Sequence, residues 1–208
     1  MKNYLRLGLL ALVAALVVAS CGNSGEGSQG NADSQQKETG GMPGMDHGSG
    51  GMASGMLMEN GKYSDKAFID AMVPHHQGAI EMAQVALKNA EHEEIKELSR
   101  NIVSTQQAEI EELKSIKQEE FGTSNVPMEM SQEQLRSMGM MDPQQLANRE
   151  PFDKAFIDAM IPHHHSAIEM AEVAYQKSEN PRIKELAGNI VSDQQAEIEQ
   201  MKQWREQW

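Results

Sequence analysis

The sequence predicts an all-α protein, a four-helix bundle made of two repeated helical hairpins joined by a long crossover. Three observations carry that prediction. The stretch from Asp65 to Ile116 recurs without a gap from Asp153 to Trp204, with 34 of 52 positions identical, so each copy is one supersecondary unit. Each copy holds two runs with apolar residues at helical spacing, separated by a short polar break, "KNAEHEE" in the first and "QKSENPR" in the second. Each hairpin built this way exposes an apolar stripe that it cannot bury alone, and the other copy supplies the cover.

The N-terminal segment, residues 1–20, stands apart from the bundle. Lys2 and Arg6 lead into an apolar run from Leu7 to Ala19, too short for a spanning helix but typical of an export signal. It ends in "VVASCG", which places small residues just before Cys21, the only cysteine. This pattern resembles a bacterial lipoprotein signal, which implies Cys21 as the lipidated first residue of an envelope protein on the periplasmic face or cell surface; the alternative is an ordinary signal peptide with an incidental cysteine. A single cysteine excludes an internal disulfide. Removal of residues 1–20 leaves 16 basic against 31 acidic side chains, a net charge of −15. Such a chain repels nucleic acid and attracts cations.

Residues 21–61 read as a disordered tether of Gly, Ser, Asn, Gln and Met with little to bury. Within it, Met42, Met45 and His47 form a candidate capture segment for a soft metal ion, because thioether suits Cu(I) and imidazole suits copper generally. Residues 62–120 are the first hairpin and 151–208 the second. In the second break, Asn180 followed by Pro181 is a helix N-cap with proline at the first helical position. His92 stands in the place of Asn180, so it reads as a loop or cap residue and not as a ligand. The crossover, residues 121–150, has room for a short helix near Gln132–Met138. Its methionines, Met128, Met130, Met138, Met140 and Met141, cap the bundle or add ligands.

Each hairpin carries histidines in its stripe. With Met72 at the centre of a helical wheel, His76 lies about 40° to one side and His75 about 60° to the other. Pro74 precedes both and predicts a kink or restart of the helix there. On the partner helix, Gln106 and Glu109 fall inside the apolar stripe, and a buried glutamate is costly unless paired or bound to a cation. Folding the hairpin about residues 90–91 sets His76 opposite about residue 105 and Met72 opposite about residue 109. Met72, His75, His76, Gln106 and Glu109 then converge at one level. Met160, His163, His164, Gln194 and Glu197 repeat the arrangement, giving one site per hairpin.

The residue types select the ion. No Glu-x-x-His occurs in the chain, which disfavours a di-iron carboxylate centre. Structural zinc usually recruits cysteine. Methionine with histidine favours copper, Cu(I) above all, with Ag(I) as a mimic. Gln106, Glu109, Gln194 and Glu197 are expected to orient imidazoles from behind rather than to ligate. No Ser-His-Asp or Cys-His set and no phosphate loop stands out, so an enzyme is not expected.

The words "DAMVPHH" with "AIEMA", and "DAMIPHH" with "AIEMA", resemble the family catalogued as domain of unknown function 305, in two tandem copies. The resemblance implies a ferritin-like bundle and exported proteins linked to copper binding and resistance. Carried over, it implies metal ligation by Met72, His75, His76 and Met82, and by Met160, His163, His164 and Met170. His165 replaces Gln77 in the second copy and lies off the stripe. The expected function is copper buffering, resistance or delivery at the envelope, with a metal ion, a membrane reached through lipid, and a copper-handling protein as partners. The rivals are a structural or interaction module without metal, and a metal-dependent redox enzyme.

Overall fold

The computed structural model describes residues 54–208. The signal segment, Cys21 and the tether residues Met42, Met45 and His47 lie outside the described residues. The described part begins with a two-stranded antiparallel hairpin, β1 (Met58–Glu59) and β2 (Lys62–Tyr63). Leu57 beside it is fully buried, so the end of the segment read as tether packs onto the bundle.

Two long helical hairpins follow the repeat. The first joins α1 (Asp65–Asn89) to α2 (Glu93–Phe121), and the second joins α5 (Phe152–Lys177) to α6 (Pro181–Gln207). The crossover carries two short helices, α3 (Gln132–Ser137) and α4 (Pro143–Ala147). The helix ends follow local chemistry. Ser64 caps α1 by accepting from the Ala67 amide at 3.2 Å, and Asn180 caps α6 by accepting from the Arg182 amide at 2.9 Å, with Pro181 at the first position. Gly122 ends α2 in the left-handed conformation, φ 73°. Ser131 and Gln134 form a reciprocal capping box on α3. His92 takes the N-cap position of α2, as the repeat indicates. Its ring bonds Asp153 at 2.6 Å and stacks on Trp208 at 3.7 Å.

Pro74 and Pro162 lie inside unbroken α1 and α5. The expected restart at Pro74 does not occur, because tertiary packing on both flanks carries the helix through the missing hydrogen bond. The hairpins meet through α1 against α5 and α2 against α6. Ala79, Ala83 and Ala86, with Ala167, Ala171 and Ala174, are fully buried. These small side chains let the backbones of α1 and α5 approach closely.

The apolar core is divided in two. One cluster includes Phe68, Met72, Leu113, Met170 and Ile183. The other includes Met82, Ile95, Ile102, Phe156, Met160 and Ile198. Between them lies a belt of polar side chains that belong to neither.

Candidate metal centre

His75, His76, His163 and His164 are all fully buried, so both histidines of each hairpin point inward. The grouping differs from the expected one site per hairpin. His75 lies 3.8 Å from His163 between ring centroids, but 6.2 Å from its own neighbour His76. His163 and His164 are likewise 6.2 Å apart. The two sets merge into one layer across the middle of the bundle, because the alanine faces bring α1 and α5 together where the rings project.

Each outer imidazole meets a carboxylate of its own hairpin. His164 Nε2 donates to Glu197 at 2.6 Å, and His76 Nε2 lies 2.9 Å from a Glu109 oxygen. The second contact is not aligned for a hydrogen bond, and His76 Nε2 has no bonded partner. Glu109 thus lies beside His76, at the level where the two were expected to meet. Asp193 on α6 has its carboxyl pushed up by loss of water and by the charges of Glu109 and Glu197, which shows that both glutamates face one seam. Gln106 and Gln194 are buried as expected, but Gln106 Oε1 and both amide atoms of Gln194 bond nothing within the chain. The structure shows no hydrogen bond from either glutamine to an imidazole.

The inner pair is organised by a residue that the sequence reading passed over. Ser166 Oγ lies 2.8 Å from His75 Nε2, 2.9 Å from the Met138 carbonyl and 2.8 Å from the His163 carbonyl. A hydroxyl has one proton and the carbonyls can only accept, so Ser166 donates to a carbonyl and accepts from His75 Nε2–H. That fixes the tautomer and leaves a lone pair on His75 Nδ1. It also removes any Ser–His nucleophile, since the serine proton is not directed at the imidazole. The signal for Ser166 was a mismatch within the repeat: Gly78 holds the equivalent position in α1.

Six of the eight ring nitrogens in the layer have no hydrogen-bond partner within the chain: Nδ1 of all four, and Nε2 of His76 and His163. An unsatisfied buried polar atom costs on the order of 1–3 kcal/mol, so a purely structural layer would be a poor solution. Met72, Met82, Met160 and Met170 are buried to within 1%. Met72 and Met170 join one apolar cluster and Met82 and Met160 the other. His165 is exposed, in agreement with its place on the wheel. Among the described residues, no group of three or more His, Cys, Asp or Glu side chains is placed to hold a metal ion by itself.

Burial holds His75 and His163 well below the ordinary imidazole pKa, and neighbouring imidazoles push them in the same direction. Unfolded, both take up a proton near pH 6.5. Below that value the unfolded chain binds more protons than the folded one, so stability falls as pH drops. We expect a loss of up to about 1.4 kcal/mol per pH unit for each ring between pH 7 and 5. Urea denaturation of the metal-free protein across that range measures it, and a flat profile would contradict neutral buried rings. Ser166→Ala is expected to cost about 1–3 kcal/mol in the same assay, because it orphans His75 Nε2–H.

The fold and the site define a two-hairpin helical bundle crossed by a layer of buried, largely unpaired imidazoles. The chain belongs to the domain of unknown function family DUF305, whose model matches residues 19–117 and 65–205. Among solved structures it is similar to CopM in the Cu(II)-bound form, at 44% identity and TM-score 0.66 over 71% of this chain and 99% of that one. It is similar to CopM in the Cu(I)-bound form at 42% identity and TM-score 0.63, over 71% and 99% of the two chains. A DUF305 fragment from Deinococcus radiodurans, 23% identical with TM-score 0.63 over 69% and 96%, shares the fold. An uncharacterized protein of Acanthamoeba polyphaga mimivirus is 45% identical over 49 residues, 24% of this chain and 32% of that protein. The chain thus spans about a third of that curated relative.

Proposed function

We propose that this protein binds copper, as Cu(I), at the central imidazole layer, and buffers the ion or hands it to a copper-handling partner. The observation that carries the reading is the set of buried ring nitrogens with neither a hydrogen-bond partner nor a carboxylate beside them, Nδ1 of all four histidines and Nε2 of His163. Deprotonated imidazole is the ligand form, and burial keeps His75 and His163 in it. Carboxylates behind His76 and His164 orient rings and raise their basicity, as outer partners of metal-bound histidine commonly do. Nitrogen and thioether without a carboxylate cage suit a soft monovalent ion of low coordination number. The likeness to CopM, solved with Cu(II), Cu(I) and Ag, supports copper as the ion.

In this reading the protein is not an enzyme, and the Met42, Met45 and His47 segment gathers ions for the bundle. Lipid on Cys21 would hold the chain at the cell envelope; among the described residues no helix is long and apolar enough to cross a membrane. Anaerobic titration of the chain from Cys21 onward with Cu(I), read by thermal melting, separates core from tether. Core binding stabilises by mass action, about 2.7 kcal/mol at a free ion concentration 100 times Kd. Tether binding leaves the melting temperature where it was. A melting temperature unmoved by saturating Cu(I) would overturn the proposal.

A further inference from the structure

We propose that Met140, which belongs to neither repeat, completes the centre as a thioether ligand beside His163, and that the cleft outside it is the port through which the ion arrives. This inference rests on the copper reading above and adds a ligand and a route to it.

The geometry starts at Gly78. A Cβ there would overlap Met140 Sδ and Cε and would lie 3.7 Å from His163 Nε2. The missing side chain therefore makes a notch in α1 in which a thioether and an imidazole flank the same point. His163 Nε2 is fully buried and bonds nothing within the chain. It is the one inner Nε2 left free, since His75 Nε2 is committed to Ser166.

The sulfur is positioned by backbone. The Met138 carbonyl lies within hydrogen-bond reach of Ser166 Oγ, at 2.9 Å, and the Met140 amide donates to the Leu135 carbonyl at 2.9 Å. Between them Gly139 has φ 63°, and a Cβ there would come within 2.8 Å of the His163 backbone nitrogen. Only glycine allows both that conformation and that approach. Gly78 and Ser166, equivalent in the repeat, thus divide the work: one makes room for the side chain, the other ties down the main chain. The crossover has no duplicate, so the centre is asymmetric and gains a single sulfur from this side.

Met140 is half-buried, and its outer face lines a cleft of about 550 Å³ together with Gly78, Glu81, Arg136, Met141 and Asp142. The carboxylates of Glu81 and Asp142 outnumber the one guanidinium of Arg136 in the lining, a net negative charge that favours cations. Two thioethers behind them favour soft ions over Mg²⁺ or Ca²⁺. The imidazole layer lies immediately behind Met140.

The test uses the full chain from Cys21 onward, with methionine methyl groups isotopically labelled and Ag(I) as a diamagnetic probe. Met140→Leu conserves volume, so the fold persists, and the missing peak assigns the Met140 methyl. One equivalent of Ag(I) is expected to shift that methyl in the parent. Met140→Leu is expected to bind Cu(I) at least tenfold more weakly at the site that raises the melting temperature, with the metal-free melting temperature unchanged. A Met140 methyl unmoved by Ag(I), with parental Cu(I) affinity in Met140→Leu, would overturn the assignment while copper-induced stabilisation left the functional reading intact. Absence of that stabilisation in the parent would overturn both.

Discussion

Alanine at both His75 and His163 is expected to weaken core Cu(I) binding on the order of 100-fold or more, since loss of an outer partner alone costs about 10–100-fold. The two rings lie 3.8 Å apart and come from different repeats, so either single substitution disables the centre that both hairpins build. The double variant should therefore be little worse than the poorer single one, as for groups that act as a unit. Competition against a chromophoric Cu(I) chelator measures the affinities. Glu109→Gln with Glu197→Gln, which keeps the ligands and weakens their orientation, should lose about tenfold. His163→Leu separates ligand loss from collapse: it fills the space and removes two unpaired nitrogens, so the metal-free protein should hold its stability while binding falls. Parental affinity in the double variant would leave the imidazole layer without its assigned role.

Asp70→Ala is expected to destabilise the protein by about 3 kcal/mol, and Asp158→Ala, at the same place in the other repeat, by less than about 1 kcal/mol. Asp70 pairs with Lys117, whose side chain is only 2% exposed and which also donates to the Asn125 carbonyl at 2.6 Å. Removal of the carboxylate strands a buried ammonium with one carbonyl for company. Asp158 pairs with Arg205 at 2.8 Å, but both are about half exposed, where water replaces the lost partner. At about 2–4 °C per kcal/mol for a domain of this size, Asp70→Ala should lower the melting temperature by roughly 6–12 °C. Equal shifts for the two variants would show that burial does not decide the value of this repeated ion pair.

The helices and the inward turn of the histidines were legible because both follow from period and repetition. Apolar spacing set the stripes, Asn180–Pro181 marked a helix start, and Gln106 and Glu109 stood out as polar residues in apolar lanes. What escaped was relational. A helical wheel shows which way a ring points but not what it meets, so it paired His75 with His76 when packing pairs it with His163. Pro74 suggested a break, yet the core on both sides keeps α1 whole. Ser166 and Gly78 were hidden for the opposite reason: their roles reside in a mismatch between copies, whereas repetition shows only what the copies share. Met140 was among the crossover methionines expected to cap the bundle or add ligands, but a crossover without a period could not single it out.

The ring contact between the two repeats also fixes an order of events. Neither half of the sequence holds the complete layer, so a chain with only its first hairpin made carries separate imidazoles and no finished centre. If the layer is the copper site proposed above, capture by the core begins only after the second hairpin has closed on the first.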